Sequence, residues 1–560
     1  MSVAVPPKPW AEAAGASREK AATTAAKGRR RRAARMAAYF RPATAVRHAS
    51  FGPASFGREW APSLEETIEP GRSSRRHRWP AGDLEARVAR RTAGRLARVA
   101  RALPQARPAL LALSSTLASL PPEARRRHLR GPDLRGFLGE AEIWIAALRL
   151  AAAPGRHAEA ARARRLFDLV SRTEHLVTLV PGGRLERGFA AGVARFARAR
   201  LRHALYDLGA FVLGLRLAFP SPRALVIDLE CREEPEQGRP RDRVDLGAVL
   251  APAGPLALAG DRLAAGMRLR ARLAGRTLVL RPRAAPRGVG PPRPGWTTVI
   301  PAAGSRLRHR AAAGRGEGGS AASARAGAGP VLVQRSTIPG TPILLAPALV
   351  SRPRHLWVGR DVPELGERLA RALRLVRLAW PAGHDEILRR TFMVVPVREE
   401  GLVSYSLAAR PGISFINVFG KTLVDLADDL LHETAHHRLH DIQETAGLLA
   451  PGPAAHEVQA FDSPWRGTRR PLHGILHGAY TFLYRAELLR RLLRLARARP
   501  RRLPLHLGRR GPRWLRRELD HERAMLARAL RQLDGAAREG LLTPAGRALL
   551  RAMRAMRLGI

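Results

Sequence analysis

The sequence predicts a mostly helical α+β protein, and three observations carry that expectation. Long segments with apolar residues at helical spacing occupy residues 83–219 and most of the chain beyond 360. Short β-branched runs punctuated by Pro and Gly lie between them. One strand-like run, residues 413–419, leads through Gly420 into a helix over 422–444 that carries His432, Glu433 and His436. The expected architecture is a helical N-terminal domain, a small β module, a strand-plus-metal-helix core and C-terminal helices.

Taken in order, residues 1–75 are rich in Ala, Arg and Pro with little periodic apolar content, so they read as a disordered basic arm. Residues 76–220 form the helical domain, with Asp83 as a candidate N-cap and an apolar stretch around Phe137, Leu138, Trp144 and Ile145. Strand-like pieces near 224–229, 244–250, 267–273, 276–280 and 297–300 define a β module over 221–301. Residues 302–329 are low in complexity and read as a flexible linker. The domain over 330–560 holds strands near 331–334, 342–345, 393–397 and 402–407, a helix over 362–380, the motif helix, and three C-terminal amphipathic segments.

At 560 residues the chain has room for roughly two to four domains. Its formal charge of +51 ordinarily points to a polyanionic partner. Here the basic residues are almost all arginine, with lysine only at Lys8, Lys20, Lys27 and Lys421, a skew that reflects coding in a GC-rich bacterial genome. The arginines are scattered and aromatics are few, which argues against nucleic acid. Cys231 is the single cysteine, so neither an intrachain disulfide nor a thiolate metal site is available. The first twenty residues have no apolar signal core, and the most hydrophobic long stretch is interrupted by Asp207 and Arg216. The expected setting is cytoplasmic, with no membrane; the oligomeric state is not specified by the sequence.

The functional signal is the HExxH pattern. Positions i and i+4 share a helix face, so His432 and His436 can reach one divalent ion while Glu433 lies beside it as the candidate catalytic base. A preceding strand and apolar cover from Leu426, Leu430 and Leu431 suggest a zincin-like core. His437 and His440 extend the run, but 432, 436 and 440 together span about 12 Å, too long for one ion; His437 and His440 are taken as supporting or surface residues. A third ligand is sought downstream: His477 is the first choice, with His473, Asp462 and Glu457 as rivals. Arg466 and Arg470 are candidate clamps for a carboxylate-bearing cofactor. Trp465 is a candidate substrate contact, as are Ser414 and Asn417 on a strand that could pair with an extended peptide.

The strand at 412–419, the motif helix, and the blocks 463–466 and 470–480 resemble the HEXXH motif domain proteins found beside ribosomally synthesised, post-translationally modified peptide clusters. Some members of that family are iron(II)- and 2-oxoglutarate-dependent peptide β-hydroxylases. The resemblance covers mainly residues 400–485. It implies metal binding by His432 and His436, Fe2+ with 2-oxoglutarate as cofactors, and a precursor peptide as substrate. The spacing alone favours a zinc (Zn2+) metallopeptidase with Glu433 as general base, so the resemblance is what places the hydroxylase first; a non-catalytic peptide-binding protein is the third expectation.

Overall fold

The computed structural model describes residues 81–152, 159–170, 188–219, 224–230, 256–259, 268–274, 277–284, 296–299, 331–334, 337–346, 349–352, 355–358, 363–408, 410–498 and 511–559. The expected arm over 1–75, the linker over 302–329 and the strand near 244–250 lie outside these residues.

Among the described residues six α-helices come first: α1 (Ala81–Ala102), α2 (Arg107–Ala118), α3 (Pro122–Arg130), α4 (Pro132–Ala152), α5 (Glu159–Val170) and α6 (Phe189–Ala218). They close around one apolar cluster that includes Phe137, Trp144, Leu166 and Phe211. The aromatics of this region are therefore packing residues: Trp144 is fully buried, edge-on to Phe196 at 5.3 Å, and donates its Nε1–H to Glu140.

Next come β1 (Leu225–Glu230), β2 (Leu256–Ala259), β3 (Arg268–Ala274), β4 (Thr277–Ala284), β5 (Trp296–Val299) and β6 (Val331–Gln334). Four of these form an antiparallel sheet in the order β1-β3-β4-β5. A separate pairing joins β2 to β6, so a strand from beyond residues 302–329 completes a ladder begun before them.

The rest of the chain builds the motif domain. Its sheet, in the order β11-β12-β10-β8-β9 with β7 also on β10, uses β7 (Leu344–Leu345), β8 (Leu349–Arg352), β9 (His355–Val358), β10 (Met393–Arg398), β11 (Tyr405–Ser406) and β12 (Ile413–Asn417). Helices α7 (Pro363–Ala379) and α8 (Pro381–Arg390) intervene before β10. After β12 follow α9 (Leu423–Thr445), the short α10 (Pro453–His456), the β13 (Phe461–Asp462) and β14 (Arg469–Arg470) ribbon, and α11 (Leu472–Ala498), α12 (Pro512–Arg538) and α13 (Pro544–Gly559).

β10 and β12 carry buried apolar residues on both faces because both faces are covered. Met393, Val395, Ile413 and Phe415 enter one small cluster, whereas Val394 and Ile416 join the large core shared with α7, α9, α11 and α12. β12 lies between parallel β10 and antiparallel β11, so both of its edges are already hydrogen-bonded. The expectation that this strand pairs with an extended peptide is corrected on that ground: its ladder positions are taken. No described helix is long and apolar enough to cross a membrane.

Candidate metal centre

Helix α9 starts at a left-handed Gly420 (φ 63°) and a capping box in which Thr422 Oγ1 accepts from Asp425 N–H and Asp425 accepts from Thr422 N–H. From there successive residues turn by about 100°, so side chains sort onto distinct faces.

One face lies on the sheet. Asp429 accepts from Ser404 Oγ at 2.7 Å and pairs with Lys421 Nζ at 3.1 Å. One turn on, Glu433 is 1% exposed, and its Oε2 has no hydrogen-bond partner among the described residues. Burial pushes the Glu433 carboxyl up to about 8, opposed by nearby Ser406 and assisted by Asp429 and Asp428. A further turn on, His437 is buried: its Nδ1 accepts from Gly412 N–H at 3.2 Å, which leaves Nε2–H to donate to Ser414 Oγ at 2.9 Å. His437 therefore ties the metal helix to β12 and is no surface residue.

The adjacent face, Asp428, His432, His436 and His440, lies on α11. Asp428 is held by Arg485. The ring of His432 is 5.0 Å from that of His436 and edge-on to Phe482 at 5.0 Å. Phe482 is stacked flat on Trp465 (4.4 Å, 7°), whose Nε1–H donates to Glu522 at 2.9 Å. A Cβ at position 478 would come within 3.0 Å of the Trp465 ring, so Gly478 is the residue that lets this indole lie flat.

Higher on the same face, His436 and His440 meet His477 from α11. Their nitrogen atoms all lie within 4.8 Å of one another, the one group of three potential ligands so arranged among the described residues. His436 Nδ1 and His477 Nδ1 are 3.3 Å apart. Two nitrogens at metal distances of about 2.0–2.1 Å in tetrahedral geometry sit about 3.3–3.4 Å apart, so this pair already spans one edge of a coordination polyhedron. Gln443 Oε1 accepts from His477 Nε2 at 3.2 Å, which leaves the Nδ1 lone pair turned toward His436.

All the imidazoles are held neutral. Burial lowers His477 and His432 to about 3 and lowers His436 and His440 as well. Neighbouring charge adds to this, from Arg485 and Arg466 at His432 and from His440, His473 and Arg470 at His477. Unprotonated imidazole is the form a metal needs.

The expected residues thus separate. His436 and His477 come together as anticipated. The third member of the group is His440; His432, whose ring stands 5.0 Å from that of His436, lies outside it. His473 is exposed, its ring 6.3 Å from that of His477. Asp462 is exposed and pairs with Arg469 at 3.6 Å. Half-buried Arg470 adds to the lowering of His477, and exposed Arg466 to that of His432.

The remaining candidates have other occupations. Ser414 is fully buried against His437. Asn417 is 3% exposed and donates to the carbonyls of Glu399 (2.7 Å) and Leu402 (2.6 Å). Trp465 supports the Phe482–His432 stack. The polar atoms of Ser414 and Asn417, expected as substrate contacts, are thus committed within the fold, whereas Trp465 is half-buried, with its ring on Phe482 and its Nε1–H on Glu522.

Reading from the sequence missed the ion network on the other side of α9. Asp441 receives Arg135 of α4 and Arg390 of α8, Arg438 donates to Glu386, and Glu444 receives Arg135 and Arg95. In a chain with so many arginines, no local signal distinguishes the buried ones. No protein-family profile matches this sequence, and no curated protein is significantly similar to it.

Proposed function

We propose that this chain is a metal-dependent peptide-modifying enzyme, an iron(II)- and 2-oxoglutarate-dependent hydroxylase acting on a side chain of a ribosomally made precursor peptide. The observation that carries the reading is the meeting of His477 with His436 and His440, three neutral imidazoles from two helices around one position. Iron(II), when bound, would supply hydroxylation by dioxygen, one oxygen atom entering the substrate C–H bond and the other leaving in succinate as 2-oxoglutarate loses CO2. The chain's contribution is to hold the ion through His436, His440 and His477, to keep His477 in its Nε2–H tautomer through Gln443, and to offer Arg470 and Arg466 for a carboxylate.

A zinc metallopeptidase is the second reading, favoured by a three-imidazole ligand set of the kind that holds catalytic zinc. Two features count against it. Burial pushes the Glu433 carboxyl up in the metal-free protein, away from the ionised form a general base needs. The strand before the helix has no free edge for a substrate backbone. A non-catalytic peptide-binding protein is the third reading.

Anaerobically purified protein, analysed for metal and assayed for conversion of 2-oxoglutarate to succinate, separates them. Iron-dependent succinate formation without peptide cleavage is expected. A zinc protein that cuts peptides and forms no succinate overturns the hydroxylase reading.

A further inference from the structure

We propose that Arg135, far from the motif in sequence, is a positioning residue for the metal centre, so that the N-terminal helices are part of the machinery that holds the ion. The proposal rests on the reading of His436, His440 and His477 as ligands.

A ring nitrogen on α9 stands about 5–6 Å from the helix axis. Turning the helix by only 5° therefore moves it by about 0.5 Å, whereas metal–ligand distances are held to about 0.2 Å. The leucines that bury α9 attract without direction, so its azimuth is set by directional contacts: His437 to Gly412 and Ser414, Asp429 to Ser404, Asp428 to Arg485, and the arginines beyond His440. The guanidinium fork is directional.

Arg135 uses that fork across one turn of α9, immediately past His440. Its Nη1 donates to Asp441 Oδ1 at 2.6 Å, and its Nη2 donates to Glu444. The contact joins residues 306 positions apart, and both Arg135 and Asp441 are buried, so water does not screen it. Arg390 takes the second Asp441 oxygen and Arg95 the second Glu444 oxygen at 2.9 Å. Both carboxylates next to His440 are thus held from two sides, and a rotation of the helix breaks several charge-assisted bonds at once.

The test uses the full chain, Zn2+ titration by chelator competition, and the visible spectrum of the Co2+-loaded protein. Arg135→Met is expected to weaken Zn2+ binding about 10- to 100-fold, as loss of an outer-shell partner does, and to change the Co2+ spectrum. Arg135→Lys, which restores the charge, is expected to recover part of the affinity. Leu166→Ala, a cavity in the N-terminal core cluster, to which no residue of α9 belongs, serves as the stability control and is expected to leave affinity and spectrum unchanged. Should Arg135→Met not fold, Glu444→Gln at the half-exposed end of the same fork decides, with a smaller weakening expected. Folded Arg135→Met or Glu444→Gln protein that binds Zn2+ within about twofold of wild type, with an unchanged Co2+ spectrum, overturns the proposal. Wild-type protein that binds neither ion overturns the metal reading itself.

Discussion

Glu386 offers the sharpest stability test, because one buried carboxylate on α8 serves three arginines. Its Oε1 accepts from Arg390 and from Arg438 (2.8 Å), its Oε2 from Arg389 (3.0 Å), and it is 2% exposed. Burial alone raises such a carboxyl, but Arg390, Arg438 and Arg389 outweigh it and hold Glu386 well below the usual carboxylate range. In Glu386→Gln the amide oxygen replaces one acceptor, while the NH2 faces a guanidinium and removes the other. The Arg389 arm, whose side chain is 43% exposed, accounts for less than about 1 kcal/mol of the loss. Arg390 keeps Asp441, so most of the cost falls on buried Arg438 and lies near the lower end of the range for breaking a buried pair, about 3 kcal/mol. Urea unfolding followed at pH 7 measures it. The sign with pH follows from the direction of the shift: a depressed carboxyl stabilises fully above its unfolded value and loses that stabilisation as pH falls through its folded one. The gap between wild type and variant is therefore constant from pH 5 to 8 and narrows below about pH 4. A gap under about 1 kcal/mol at pH 7, or one that widens in acid, refutes the reasoning.

Three further outcomes follow from the same geometry. In metal-free protein, Glu433→Gln is expected to become progressively more stable than wild type as pH rises from about 4.5 to about 8. A carboxyl with a raised folded value costs stability over that interval, and the amide does not; thermal melts across pH check it. Trp465→Ala removes the platform under Phe482 and a partner of buried Glu522, and is expected to cost up to about 3 kcal/mol by chemical denaturation. Trp465→Phe, which keeps the stack, should retain most of that stability and the activity; equal stability with lost activity would make Trp465 a substrate contact.

The motif helix is legible in the sequence because its signals are local. Strand, Gly420, Thr422 with Asp425, and histidines at i,i+4 spacing all act within a few residues, and α9 at Leu423–Thr445 lies within about a residue of the expected span. His477 is legible for a similar reason, since a second histidine-bearing helix following a short ribbon has few ways to pack except against the first. The choice between His432 and His440 is not legible, because the helical repeat treats them alike. Only the axial offset of α11 against α9, set by packing along both helices, decides which pair His477 meets. The same holds for Arg135, Arg390 and Arg438: each looks like any other arginine until helices from distant parts of the chain enclose it. Strand edges are equally non-local. The apolar run at 413–419 announces a buried strand, but that β10 and β11 occupy both its sides emerges only from the sheet order.

The central claim is that one ion is gripped by His436, His440 and His477. Zn2+ affinity measured by chelator competition on His432→Ala, His440→Ala and His477→Ala tests it most directly. The account predicts that His440→Ala and His477→Ala each lose more affinity than the roughly 10- to 100-fold of an outer-shell change, while His432→Ala stays within that range. Loss of binding in His432→Ala with His440→Ala near wild type would contradict it and return the ion to the lower pair of the stripe.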